Sequence, residues 1–184
     1  MHNREVTLPP SQPRDHVAAF YHSEEFLADR VASFVADGLA AAEQVIVLAT
    51  SSHWISIAAR LRASGVASER AVVERRLVVL DAAAILEGLT IDGRVSVEAF
   101  RAALARFIVP GVRQRIYGEL VSLLVERGDL ETAIAIETVG QELAHTLRIA
   151  VLCGYRVGGE PQLPPYVIRR LEAIHDRSWS EEKA

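Results

Sequence analysis

Between His16 and His53 the chain reads strand, turn, amphipathic helix, strand, and no other stretch restricts the possible folds as much. The runs Val17-Ala18-Ala19-Phe20 and Val45 to Ala49 are apolar without alternation. That suits strands covered on both faces, as in a parallel sheet. Between them Phe26, Leu27, Val31, Phe34, Val35 and Leu39 recur at helical spacing. Ser23 is the expected N-cap, Glu24 and Glu25 favour the positive end of the helix dipole, and Gly38 is the expected C-terminal stop.

The rest of the chain continues the alternation. Leu77 to Leu80 and Ile149 to Tyr155 read as further buried strands, and Arg115 to Glu119 as a fourth strand or as the start of the next helix. Helices are expected from Thr50 to Leu61, over 82–88, from Val97 to Ile108, from Leu120 to Glu126, from an Asp129 cap to Leu147, and from Tyr166 to Ser178. Strands alternating with helices give an α/β, three-layer architecture: a mostly parallel sheet of about five or more strands, with helices on both faces and right-handed crossovers. With 184 residues, 50% of them hydrophobic, one compact domain is expected. It should span 15–178, after a flexible lead-in over 1–14 and before a frayed tail over 179–184.

The net charge of −4 and the lack of a basic run argue against nucleic acid as a partner. One cysteine rules out an internal disulfide and a cysteine-based zinc cluster, and fits a reducing compartment. No leader peptide and no membrane-spanning run is read, so the expected location is cytoplasmic, with no membrane partner.

Ligands of open parallel sheets bind outside the carboxyl ends of the strands. A phosphate loop there needs glycines for close backbone approach and, often, a lysine. The corresponding turn, Tyr21-His22-Ser23-Glu24-Glu25, has neither. Its aromatic, imidazole, hydroxyl and carboxylate groups suit recognition better than phosphoryl transfer. The same edge should hold Thr50, His53, Asp81, Glu119 and Tyr155. His16 starts its strand and so belongs at the opposite end from His22. Glu137 falls within the apolar arc of its helix, so it should face the core and need a partner, either Arg115 or a tyrosine hydroxyl. Cys153 reads as a small buried hydrophobe. No glycine-flanked nucleophile turn surrounds Ser51, and no His, Cys or carboxylate residues stand at metal-ligand spacing. No catalytic residue, metal site or cofactor is therefore assigned. The ligand-binding candidates are Tyr21, His22, Ser23, Thr50, His53, Glu119, Glu137 and Tyr155.

Four blocks carry a resemblance to a known family. They are His16 with Phe20-Tyr21-His22-Ser23; Phe34-Val35-Ala36-Asp37-Gly38-Leu39 leading to Val45 through Thr50 and His53; Gly118-Glu119-Leu120-Val121 with Leu123-Leu124; and Glu137 followed by Leu152-Cys153-Gly154-Tyr155. Together they resemble the MEDS domain, a sensory module named from methanogen and methylotroph regulators. The resemblance covers roughly 16–157, and Ile174-His175-Asp176-Arg177-Ser178 is similar to the His-containing helix that often closes such domains. It implies a degenerate RecA-like fold without the phosphate loop. It also implies a non-enzymatic sensory role: a small organic ligand read out to a histidine kinase, sigma-factor regulator or transcription regulator. No such output domain is read in these residues, so action in trans is expected, and a homo-oligomer is compatible with it. Two other readings stand beside this one: a protein–protein regulator without a small ligand, and a residual nucleotide-binding enzyme.

Overall fold

The structure is a computed structural model that describes residues 15–158 and 163–181. The first half of the chain forms β1 (His16–Tyr21), α1 (Glu24–Ala40), β2 (Gln44–Ala49), α2 (Ser51–Ala63), α3 (Ser68–Val73), β3 (Leu77–Asp81) and α4 (Ala82–Gly88). A short hairpin follows, β4 (Thr90–Ile91) and β5 (Arg94–Val95), then α5 (Val97–Ala105), β6 (Gln114–Gly118) and α6 (Leu120–Glu126). The chain continues as α7 (Leu130–Leu147), β7 (Ala150–Arg156), α8 (Pro165–Ile174) and β8 (Arg177–Ser180).

Six strands form one sheet in the order β3-β2-β6-β7-β1-β8, and every neighbouring pair runs parallel. Successive strand residues point to opposite faces. Ala18, Phe20, Ile46, Leu48, Ile116, Val151, Cys153 and Tyr155 pack against one helix layer with residues of α4 to α8. Val17, Ala19, Tyr21, Val45, Val47, Ala49, Tyr117 and Leu152 pack against the other, with α1 to α3. The three-layer α/β architecture is thus present, and β6 settles the open choice over Arg115 to Glu119 in favour of a strand. Among the described residues no helix is long and apolar enough to cross a membrane.

Several expectations change. The final helix does not run to Ser178, and residues 179 and 180 do not fray. Helix α8 ends at Ile174, His175 turns extended (φ −88°, ψ 149°), and Arg177–Ser180 pairs with β1 as a sixth strand. The cause is Asp176. Its N–H donates to the His16 carbonyl at 2.8 Å, and its carboxylate accepts the His16 N–H at 2.9 Å, which draws the chain alongside β1. The expected lead-in 1–14 and the tail positions 182–184 lie outside the described residues.

Gly38 does not stop α1, which continues to Ala40. It is buried, and a Cβ there would come within 2.6 Å of the Arg115 side chain, so the glycine makes room for that arginine. Helix α5 ends at Ala105, short of Ile108. Strand β3 is an edge strand with only Leu77 fully buried. The β4–β5 hairpin adds to the expected elements; Asp92 and Gly93 form its two-residue turn, both at positive φ (50° and 77°).

Candidate functional site

At the carboxyl edge of the sheet β1, β2, β6 and β7 open onto a pocket of about 330 Å³, within the range of small-molecule sites. Tyr21 ends β1, Thr50 and His53 start α2, Glu119 follows β6, and all four line the pocket with Glu24, Glu126 and Arg156. Glu119 organises it. Its carboxylate accepts the Tyr117 hydroxyl at 2.7 Å and the Thr50 N–H at 2.9 Å, and lies 2.8 Å from His53 Nδ1. His53 Nε2 also meets Glu24, and Arg156 stands 3.7 Å from the other Glu24 oxygen. Thr50 caps α2 as expected.

Burial alone would push the His53 ring down. The close Glu119 carboxylate and the charges of Glu119 and Glu24 outweigh that and hold it above the ordinary imidazole value. The Tyr21 hydroxyl is pushed far up, first by burial and then by Glu24, Glu119 and Glu126. It stays a neutral hydroxyl at any physiological pH. Three carboxylates therefore face one guanidinium and one imidazole, a balance that disfavours a phosphate-rich ligand.

His22 and Ser23 do not line this pocket. They hold a different group. The His22 and Ser23 N–H groups donate to Glu181 Oε2 at 2.6 and 2.9 Å, and the Ser23 hydroxyl donates to Oε1 at 2.8 Å. Ser23 Oγ also accepts the Phe26 N–H as the N-cap of α1. The turn after the first strand thus grips an anion with backbone N–H groups at a helix N-terminus, and that anion is the chain's own carboxylate. Asp81 caps α4 through the Ala84 N–H at 2.9 Å and accepts the Ser51 hydroxyl at 2.5 Å.

Glu137 and Tyr155 belong to neither group. They sit on the opposite face of the sheet in a fully buried cluster. The Tyr155 hydroxyl donates to Glu137 Oε1, while His16 Nε2 and His175 Nε2 stand 3.2 and 3.4 Å from Oε2. The Cys153 thiol donates to the same oxygen at 3.7 Å. Of the two expected partners for Glu137, the tyrosine hydroxyl is present and Arg115 is not; Arg115 pairs with Glu43 at 2.5 Å. Burial pushes the Glu137 carboxyl up, but the His16 hydrogen bond, the His175 ring and the Tyr155 hydroxyl outweigh it and hold it below the ordinary range. Burial and the Glu137 charge push the Tyr155 hydroxyl and the Cys153 thiol well up.

Sequence reasoning missed the joining of His16, Glu137, Cys153 and His175, and the role of Glu181. No local spacing signals either, because each depends on β8 and α8 returning beside β1.

Compared with known proteins, no curated protein matches the chain. Among solved structures, one titled as an ATPase domain superposes with a TM-score of 0.55 at 10% identity, over 92% of this chain and 69% of that one. A structure titled as a DnaB-like replicative helicase and its interactions with primase superposes with a TM-score of 0.46 at 10% identity, over 80% of this chain and 40% of that one. The first likeness shows a RecA-like fold and speaks to nothing beyond the fold. The family described as MEthanogen/methylotroph, DcmR Sensory domain (MEDS) matches residues 15–176. That span takes in β1, the whole pocket edge and the His175-Asp176 turn, and the chain belongs to the MEDS family of sensory domains.

Proposed function

We propose that this chain is a non-enzymatic sensory domain that binds a small organic ligand, neutral or cationic, in the carboxyl-edge pocket. It would pass the bound state in trans to a histidine kinase, a sigma-factor regulator or a transcription regulator. The observation that carries this reading is the pocket of about 330 Å³ lined by Tyr21, Thr50, His53 and Glu119. The neighbouring anion grip at His22 and Ser23 is already filled by Glu181. The family's sensory character supports the regulatory half of the reading. A ligand can shift a signalling equilibrium only by its differential affinity for two states. Tyr21 and Arg156 stand at the carboxyl ends of adjacent strands, one leading into the β1–α1 turn and the other toward α8, so pocket contacts can report to both segments.

The test is isothermal titration of the purified chain with a panel of small alcohols, amines, amides and carboxylic acids, and with ATP plus magnesium. Saturable heat is expected from at least one neutral or cationic compound and none from the nucleotide. Tyr21→Phe and Glu119→Gln should weaken that binding about tenfold or more, about 1.4 kcal/mol or above. A panel without a binder, or tight binding of ATP with magnesium, would refute the reading.

A further inference from the structure

We propose that His16, Glu137, Cys153 and His175 form a site for one divalent transition-metal ion of the zinc type. The four residues come from β1, α7, β7 and the turn after α8, and all four are buried. One ligand atom from each lies within 4.8 Å of all the others. Metal–ligand bonds of about 2.0 to 2.3 Å put tetrahedral ligands about 3.3 to 3.8 Å apart. His16 Nε2 is 3.2 Å from Glu137 Oε2 and 3.4 Å from Cys153 Sγ. His175 Nε2 is 3.4 Å and Cys153 Sγ 3.7 Å from Glu137 Oε2. Four of the six separations are thus already close to those an ion would impose, and the other two lie within 4.8 Å.

The surrounding hydrogen bonds aim the two imidazoles. The Gln141 amide nitrogen donates to Asp176 Oδ1 at 3.2 Å, and a carboxylate only accepts. The amide oxygen therefore faces His16 Nδ1, at 2.8 Å, and Nδ1 must carry the proton. The His175 Nδ1–H donates to the Leu171 carbonyl at 2.7 Å. With Nδ1 protonated, each ring can meet the Glu137 oxygen only by carrying a second proton on Nε2 or by turning its Nε2 lone pair to a cation. Among the described residues His175 Nε2 has no hydrogen-bond partner, on a side chain that is 0% exposed. A cation between the four atoms resolves this arrangement, and Glu137 and the Cys153 thiolate would balance its two charges. Binding releases the thiol proton to solvent.

Two nitrogens, one oxygen and one sulfur select zinc, cobalt or nickel over magnesium and calcium. Gln141, the Leu171 carbonyl and the Tyr155 hydroxyl are the outer partners that such ligands require. A partly open, mostly apolar pocket of about 60 Å³ touches His16, Glu137 and Cys153 and leaves the ligands room to close on an ion. Beyond Gln141, His145 is 51% exposed and offers a way in.

The chelator-treated full chain is titrated with cobalt and then zinc, and read by visible and near-ultraviolet absorption and by bound-metal analysis. One equivalent is expected, with a dissociation constant below about 1 μM and cobalt bands of tetrahedral intensity. A thiolate-to-cobalt charge-transfer band should appear and vanish in Cys153→Ser. Gln141→Leu should weaken zinc binding about 10- to 100-fold while leaving the fold, checked by circular dichroism, unchanged. Excess magnesium or calcium should not compete. If the folded wild-type chain takes up no cobalt or zinc, the cluster is a proton-bridged His–Glu network and the proposal fails. It fails equally if uptake is indifferent to both substitutions.

Discussion

Glu181 accepts three hydrogen bonds from His22 and Ser23, at 2.6, 2.9 and 2.8 Å, on a turn that already carries two carboxylates, Glu24 and Glu25. Partial burial pushes the Glu181 carboxyl up, but those bonds outweigh it and leave the group below its ordinary value. Glu181→Ala should therefore lower stability in urea by about 1 kcal/mol near neutral pH, after discounting charged hydrogen bonds for solvent screening. A depressed folded value means that this contribution is present above the unfolded carboxyl pKa and fades as pH falls through the folded one. The gap between wild type and variant should accordingly close in acid, and a gap that persists there would assign it to lost packing instead. His53 works in the opposite direction. Its folded pKa is raised, so its contribution is full below the unfolded value of about 6.5 and is lost as pH rises through the folded one. His53→Gln should cost about 1 kcal/mol at pH 6 and less at pH 8.5; equal costs in urea at both pH values would show that the His53 charge does not contribute. Tyr21, Thr50, His53 and Glu119 could be placed together from sequence because strand ends share one edge of a parallel sheet. Glu137 could be placed in the core from its helical angle. What could not be read were the partners, since Glu181 lies 158 residues from Ser23 and His175 lies on a turn that sequence periodicity reads as helix.

Helix α1 passes over the sheet where Arg115 crosses beneath Gly38. Arg115 donates to Glu43 at 2.5 Å and to the Phe34 carbonyl at 2.8 Å, so its guanidinium is pinned at two points and cannot swing away. A methyl at position 38 would come within 2.6 Å of Arg115 Cδ and 2.7 Å of the Val45 side chain. Alanine normally gains about 1 kcal/mol over glycine inside a helix; overpacking here costs about 1 to 3 kcal/mol. Gly38→Ala should thus be neutral to destabilising by about 2 kcal/mol by urea denaturation, where an open helix site would gain stability. A clear gain would mean that Arg115 repacks at little cost. The elements also show why sequence reading succeeded on β1, β2 and β7 and failed on β8. The first three are continuous apolar runs buried on both faces. Arg177-Ser178-Trp179-Ser180 is an edge strand with polar alternation, held by pairing to β1 and by the Arg177–Asp15 ion pair, and neither signal is local. Gly38 misled for a similar reason: a glycine required by a close approach looks in sequence like one required by a helix end.

At the scale of the whole molecule β8 closes the sheet. Without it β1, whose six residues are all buried, would become the edge, with unpaired backbone groups beside apolar side chains. Such an edge is a template for pairing with another chain. Strand β8 also positions Glu181 on the β1–α1 turn, and the segment leading into it carries His175 and Asp176, so one short segment serves the anion grip at the carboxyl end of β1 and the buried cluster that holds His16 at its start. Ending the chain after His175 should therefore do more than remove a few contacts. It should lower the urea midpoint markedly, and it should turn the population seen by light scattering after size exclusion toward larger assemblies than the full chain forms at the same concentration. Adding a Lys in place of Ala18 or Ala19 would bury a charge and obscure the effect. The better control is Val17→Thr in the truncated chain, which leaves the edge hydrogen bonds in place. Assembly driven by backbone pairing should survive that change, while assembly driven by side-chain burial alone should weaken. A truncated chain with the midpoint and the assembly state of the full chain would show that the sheet is complete at β1 and that β8 is only laid against it.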